Sequence, residues 1–423
     1  MRFIYNFFIH VYRTLILIAS IWNQKAHAWI TGRRGLLIRL EDRLSNVHAD
    51  RIWMHCASVG EFEQGRPLLE AIRAQFPDIF IVLTFFSPSG YELRKNYAGA
   101  DLVTYLPLDT PRNADRFVGL IHPRLAIIIK YEHWHHHLHA LKSRGVPTIL
   151  ASSIFRSEQP FFRPWGRFWR RMLDCYHIIY VQDERSARLL EGIGISDRVR
   201  VAGDTRFDRV CSVAESSGAI EALDHLPGSS DVIVAGSTWP EDERILSEYV
   251  NRHPDIRLII APHEITHDHL LSIERNFPKV VRWSECQIAG GSADLLKKTE
   301  WQTLLIDNIG MLSRLYRYGR VAYVGGGFHR AGIHNILEAA VYGVPVLFGP
   351  VHKKAREAAD LKDLGGAFAV LDLSEMERIM EELLSHPGMM SAAGKASANY
   401  VRRQSGATLK VMSGVQEYLR SRS

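Results

Sequence analysis

The sequence predicts two successive α/β domains, each built on a parallel sheet, facing a central cleft at the carboxyl ends of the strands. Three observations carry this. From residue 51 onward short continuous apolar runs alternate with helical runs, as strands covered on both faces do. The pattern breaks at SGAIEALDHLPGSS, 217–230, and restarts with DVIVAGS, 231–237. Small-residue turns then follow several strands just where a helix begins, which is where ligands approach such sheets. At 423 residues the chain can bury two cores.

The first domain starts with a strand at RIWM, marked by Ile52 and Trp53, and a helix over 66–76 with Pro67 in an early turn. IFIVLTFF (79–86) precedes a helix near 89–97, LVTYLP (102–107) precedes PRNADRFVGLI, and LAIIIKYE (125–132) leads into another helix. VPTILAS (146–152) and YHIIYVQ (176–182) complete it. In the second domain the strands are DVIVAGS, IRLIIAP (256–262), KVVRW, TLLIDN, VAYVGGG and VPVLFGP, with helices between. The boundaries expected are an apolar and basic segment over 1–35, one α/β domain over 36–215 and a second over 216–423.

Hydrophobic content of 46% and charged content of 23% are ordinary for a folded protein. The net charge of +6 suits an anionic partner: a phosphate, an anionic membrane or a nucleic acid. With no zinc-finger spacing or RNA-binding aromatic signature, nucleic acid ranks last. The four cysteines are scattered without CxxC, as expected of thiols in a reducing compartment.

FIYNFFIHVYRTLILIASIW, 3–22, is apolar but interrupted by Asn6, His10 and Arg13. A spanning helix needs about 20 apolar residues and would hold Arg13 near mid-bilayer. A signal peptide has only AHA at 26–28 in its favour, and a soluble core helix is a further reading. The favoured reading is a helix lying in the membrane interface, with Tyr5, Tyr12, Trp22 and Trp29 as anchors and Lys25, Arg33 and Arg34 facing anionic headgroups.

HCASVGEFEQG, 55–65, joins the first strand to its helix. Glu61 is either a helix-start carboxylate stabilised by the dipole or a base at a ligand site. Glu132 ends the strand LAIIIKY, also a ligand position. In the second domain Ser237 and Thr238 either donate to a phosphate or cap a helix. His263 of APHEI can reach a ligand. Gly325, Gly326 and Gly327 allow close backbone approach, although the pattern is neither a dinucleotide fingerprint nor a P-loop. Glu338, three residues after Asn335, can accept both hydroxyls of a ribose. The histidines of KYEHWHHHLHALK lack an HExxH arrangement and cover more than one helix face, so no metal is expected.

Together these segments resemble the Kdo transferases, which move 3-deoxy-D-manno-octulosonic acid from CMP-Kdo to a lipid A precursor. The resembling motifs are HCASVGE, IIIKYEHW, VQDERSARLLEGIGI with VAGDTRFD, AGSTWPEDE, APHEI in part, LLIDNIGMLSRLY and GGGFHRAGIHNILEAAVYGVPVLFGP. Trp239-Pro240 departs from the family's pattern, and Ile333 replaces a glycine. The resemblance implies a glycosyltransferase type B fold, inversion at the anomeric carbon, membrane association and no catalytic metal or cofactor. It implies Glu61 as base, with Ser58, Gly60, Glu132 and Trp134 on the acceptor side. Arg206 would pair with the donor's phosphate or carboxylate, or else with Asp204 or Asp208. Ser237, Thr238, Pro262, His263, Gly326 and Gly327 would surround the donor, Asn335 and Glu338 its ribose, and the Gly310–Met311 backbone its cytosine. Arg33 and Arg34 would meet lipid phosphates or serve as ordinary interface cations. The implied place is the cytoplasmic face of a Gram-negative-type inner membrane. The rival reading is another sugar-nucleotide enzyme of this fold, a UDP-sugar transferase or an epimerase.

Overall fold

The computed structural model describes residues 1–216, 218–224, 231–288, 296, 299–353 and 355–420. The chain divides into two compact units, Met1–Arg209 with Ser405–Ser423, and Val210–Gln404. Each holds one seven-stranded sheet in which every pairing is parallel.

In the first unit the strands are β1 (Arg51–Cys56), β2 (Phe80–Phe85), β3 (Leu102–Tyr105), β4 (Leu125–Ile129), β5 (Thr148–Ser153), β6 (Ile178–Val181) and β7 (Val199–Val201), in the order β3-β2-β1-β4-β5-β6-β7. Period-two alternation sorts their side chains. Ile52, Met54 and Cys56 enter the core on one face, and Trp53 enters the core on the other. Strand β7 was not expected: its three residues are barely buried, so they carry no apolar run.

Helices α1 (Arg2–Ala19), α2 (Gln24–Arg33) and α3 (Leu36–Leu44) precede β1, and α4 (Val59–Gln75) follows it. Ser58 caps α4, so the helix starts before the expected residue 66 and Pro67 lies in its interior, beyond the first turn.

The last helix, Ala407–Arg420, also packs on the first unit, burying Val411, Met412 and Val415 with Leu68, Leu69 and Ile72 of α4. Asp208 holds its start by accepting from the Thr408 N–H (2.6 Å) and hydroxyl (2.7 Å). The expected second domain of 216–423 therefore loses its last segment, because an apolar stripe announces a helix but not the sheet it covers.

Helix α1 is tied down along one stripe. The Tyr5 hydroxyl donates to Asp109 at 2.6 Å, Asn6 meets His136 Nε2 at 2.6 Å, and Ile9 is buried beside Trp29 and Leu108. Asp109 also accepts from the His136 and His137 amides and lies 2.6 Å from His137 Nδ1. Burial alone would raise its pKa, but His137 and these bonds hold it down at about 2. The opposite stripe is open: Phe3, Phe7, Leu15 and Ile18 are exposed, as are Ile21 and Trp22 beyond the helix end. Two expected interface anchors therefore turn inward, Tyr5 to Asp109 and Trp29 into a cluster with Tyr12 and Phe86. No helix among the described residues is long and apolar enough to cross a membrane.

In the second unit the strands are β8 (Asp231–Thr238), β9 (Ile256–Pro262), β10 (Val280–Arg282), β11 (Thr303–Leu305), β12 (Val321–Val324), β13 (Val346–Phe348) and β14 (Ala367–Ala369). Their order is β10-β11-β9-β8-β12-β13-β14, the short β14 being another strand not expected. Residues 217 and 225–230 of the expected inter-domain linker lie outside the described residues.

Candidate active site

An open parallel sheet binds ligands where its strand order reverses, because the loops from the two adjacent strands leave in opposite directions. In the first unit that place lies between β1 and β4, and in the second between β8 and β12.

Glu61 and Glu132 leave the ends of β1 and β4. Glu61 is the third residue of α4 and reaches back to accept from the Ala57 N–H at 2.5 Å, while Ser58 accepts from the Glu61 N–H at 3.5 Å. This is a variant of the capping box, so the helix-start reading of Glu61 is realised. Its electrostatics go further. Burial and the charge of Glu132 raise its pKa to about 7, although the Ala57 and Ser58 backbone and Lys130 pull it down. A carboxylate poised at neutrality is suited to accept a proton.

Glu132 faces the buried His55, whose Nε2 is 3.6 Å away. His55 Nδ1 is 2.8 Å from Thr84 Oγ1, which also accepts from Trp53 Nε1 at 2.8 Å. Burial pushes the His55 pKa down. Lys130 takes a left-handed backbone, φ 70°, at the turn between β4 and Glu132, an uncommon conformation for a side-chain-bearing residue. Lys130 feels the charges of Arg206, Asp204, Glu61 and Arg156. Neither His55 nor Lys130 was singled out from sequence: β1 hides the first inside an apolar run, and backbone strain at the second leaves no sequence signal.

Arg206 belongs to this first-unit group. It pairs with Asp204 through Nε and Nη2, both at 2.8 Å, which is the ion-pair alternative weighed from sequence. Trp134 packs its ring 4.6 Å from Phe86. Gly60 is exposed at the start of α4. Arg33 departs from its expected place: Nε donates to Leu106 O (2.9 Å), Nη1 to Trp29 O (3.2 Å) and Nη2 to Phe86 O (2.7 Å), with the guanidinium 4.0 Å from the Trp29 ring. Burial lowers its pKa to about 9, so it serves the fold of α2 rather than a lipid phosphate. Arg34 is exposed.

The second unit's reversal point is lined differently. Trp239, first residue beyond β8, lies between His263 (4.8 Å, 23°) and His329 (5.5 Å, 9°). Its Nε1 donates to His334 Nε2 at 3.1 Å, and His263 stacks on His334 at 4.4 Å. Trp239 was noticed in sequence only as a departure from the family's pattern, and His329 and His334 were passed over although both stand in the glycine-rich segment.

Several donor-side expectations change here. Thr238 is buried and donates to Glu243 at 2.9 Å, so its hydroxyl is committed to the protein. Ser237 takes φ 53°, and its side chain has no hydrogen-bond partner among the described residues. The helix Pro240–Arg252 carries Glu241, Asp242 and Glu243 in its first turn; Asp242 accepts from the Trp239 N–H (3.0 Å) and Gly326 N–H (2.8 Å). A helix start filled by carboxylates is no phosphate cradle. The glycines serve backbone packing: a Cβ on Gly325 would lie 2.3 Å from Ser237 O, and one on Gly327 2.4 Å from Gly349 N. The room read as a ligand's is therefore filled by neighbouring strand ends, and the Gly326 N–H is already bonded.

Asn335 and Glu338 do meet, Nδ2 to Oε1 at 3.0 Å, although Asn335 precedes a helix of only four residues, Leu337–Ala340. Pro262 ends β9, and Gly310 takes φ 98° just before Met311 begins the turn into Leu312–Leu315.

A family model described as 3-deoxy-D-manno-octulosonic-acid transferase (kdotransferase) matches residues 32–209, the segment that contains Glu61 and Glu132. The 3-deoxy-D-manno-octulosonic acid transferase of Haemophilus influenzae is 25% identical over 380 residues, covering 87% of each chain. That of Aquifex aeolicus is 27% identical over 342 residues, 79% of this chain and 86% of the relative. The chain is similar to the Kdo transferases over most of its length, and its first unit carries the match to their family model. Among solved structures, UDP-GlcNAc 2-epimerase from Neisseria meningitidis bound to UDP-GlcNAc superimposes with a TM-score of 0.59 at 14% identity, covering 87% of this chain and 100% of that one. At that identity the likeness speaks for the shared type B fold alone, and the rival epimerase reading gains nothing from it. Within the matched segment, Glu61 and Glu132 stand after the two strands at which the first sheet reverses its order.

Proposed function

We propose that the protein transfers Kdo from CMP-Kdo to a lipid A precursor of the lipid IVA type, with inversion, in lipopolysaccharide biosynthesis. The observation that carries the mechanism is Glu61, buried at the reversal point of the first sheet with its pKa raised to about 7. As the acceptor hydroxyl attacks the anomeric carbon, Glu61 takes its proton, the bond to the CMP phosphate breaks, and CMP leaves with the electron pair. Glu132 keeps Glu61 basic through its charge, and with Ser58, Gly60 and Trp134 it lies on the acceptor side. The second unit holds the donor: Asn335 and Glu338 at the ribose, the Gly310–Met311 backbone at the cytosine, and Ser237 at the phosphate. His263 and Pro262 border that site.

The acceptor's acyl chains stay in the membrane, so the enzyme works at the cytoplasmic face of the inner membrane. The open apolar stripe of α1 supports this reading, with Lys25 and Arg34 exposed nearby for anionic headgroups. Replacing Phe3, Phe7 and Ile18 together by serine leaves Tyr5, Asn6 and Ile9 in place and should reduce the fraction sedimenting with anionic vesicles.

The decisive test is product mass. Purified enzyme with a defined lipid A precursor should add Kdo from CMP-Kdo and nothing from UDP-GlcNAc. Sugar transfer from UDP-GlcNAc, or its epimerisation without transfer, would establish the rival reading.

A further inference from the structure

We propose that His334 binds the donor as a neutral imidazole, offering Nδ1–H to an anionic oxygen of the nucleotide-sugar, and that Trp239 is the positioning residue that fixes this tautomer. The inference rests on the second unit being the donor side.

An indole N–H can only donate. Trp239 Nε1 is 3.1 Å from His334 Nε2, so that nitrogen must present its lone pair and the ring's proton must sit on Nδ1. Nδ1 has no hydrogen-bond partner among the described residues. Protonating Nε2 would cost the indole bond, and burial and His263 already lower the His334 pKa. The ring is therefore a donor that stays neutral at physiological pH.

Its surroundings hold it rigidly. Gly326 takes φ 88°, and a Cβ there would come within 3.0 Å of His334 Cδ2, so only glycine leaves room for the imidazole. The His334 N–H donates to Gly325 O at 3.1 Å, and Asp242 ties the Gly326 N–H to the Trp239 N–H. Trp239 is itself braced by His263 and His329. Of the other charged groups nearby, Glu243 is bonded to Thr238 and His269, Glu338 is bonded to Asn335, and Arg330 follows His329 in the chain. The position is the reversal point of the sheet, where a ligand's phosphate or carboxylate arrives. A neutral N–H there binds an oxyanion and loses no charge hydration of its own.

Trp239→Phe keeps an aromatic ring in the stack and removes the N–H together with the rest of the five-membered ring. The His334 ring-proton NMR signal, assigned by its loss in His334→Ala, should titrate at higher pH in Trp239→Phe than in the parent enzyme, since protonating Nε2 no longer costs the indole bond, while burial and His263 still hold it below the free value. CMP-Kdo affinity by calorimetry should fall about tenfold or more in His334→Ala, since a hydrogen bond to a charged group is lost. His334→Asn, whose amide N–H stands near the place of Nδ1–H, should recover most of that loss. In Trp239→Phe the pH dependence of donor affinity should shift to higher pH than in the parent, following the His334 titration. Unchanged CMP-Kdo affinity in His334→Ala, or identical His334 titrations in the parent and Trp239→Phe, would overturn the proposal and leave the transferase reading standing. A parent enzyme that binds UDP-GlcNAc but not CMP-Kdo would overturn the transferase reading; His334 would stand if its alanine variant lost that ligand.

Discussion

The two units share a fold type and differ in what their reversal points present. In the first, β1 and β4 deliver Glu61 and Glu132, two carboxylates close enough for one to raise the other's pKa. In the second, β8 and β12 deliver an indole and imidazoles, while the carboxylates of Asp242 and Glu243 turn inward to hold the loops. On the proposed reading one end takes a proton and the other holds an anion without charge of its own. The parallel sheet decides where chemistry happens, and a few loop residues decide which chemistry.

A second pair makes the same point inside the cores. Asp109 and Asp242 are both buried, and each accepts from a tyrosine hydroxyl, Tyr5 at 2.6 Å and Tyr323 at 2.8 Å, and from two backbone N–H groups. His137 lies against Asp109 and holds its pKa down at about 2. Asp242 has no such cation, and burial pushes its pKa up.

The comparison breaks first at Glu61. Glu61→Gln should lower the transfer rate by about 10²–10⁴-fold, as expected for a lost base, with CMP-Kdo affinity within a few fold. Steady-state rates and calorimetry check both parts, and transfer above a tenth of the parent's would remove Glu61 from the role.

The buried aspartates should separate next. Asp109→Asn breaks a buried pair and should cost about 3–5 kcal/mol, whereas Asp242→Asn should cost about 1–3 kcal/mol. The signs with pH are opposite. With its pKa below the unfolded value, Asp109 stabilises above about pH 4 and loses that contribution as pH falls towards 2. Asp242, with its pKa raised, favours the fold when protonated and loses that contribution as pH rises through its folded value. Urea unfolding of both variants and the parent at several pH values measures this. Equal costs with parallel pH dependence would erase the distinction.

On the donor side, Glu338→Ala should weaken CMP binding by about 1–3 kcal/mol, mostly as a higher donor KM. Unchanged CMP affinity would take the ribose from Glu338. The smallest effect sharpens the carboxylate pair. Glu132→Gln removes the charge that helps raise Glu61, so the acid limb of the kcat–pH profile, near 7 in the parent, should move to lower pH. An acid limb left at 7 would assign the shift to burial alone.

Most of the fold was legible because continuous apolar strands between helices admit few arrangements, and twelve of the strands were marked that way. The two that escaped, β7 and β14, are edge strands whose residues are mostly not fully buried, so they stand out less as apolar runs. Glu61 and Glu132 were legible because each stands within five residues after an apolar strand, on the loop or helix start that a parallel sheet presents at its ligand edge. The helix Ala407–Arg420 shows the limit: its stripe fits either sheet, and only contact with α4 chose. Arg33 shows it again, since a basic residue after an apolar segment reads as a headgroup ligand until three carbonyls take its donors.

Sequence by itself determined the two parallel sheets, the order of their elements and the carboxylates at the first sheet's edge, because these follow from local periodicity and strand ends. Tertiary structure alone decided the pKa of Glu61, the tautomer of His334, the inward turn of Tyr5 and Trp29, and the protein's own use of the glycine-loop space. Each depends on groups far apart in the chain meeting at a few ångströms, where burial and charge act together, and no spacing along the chain records that.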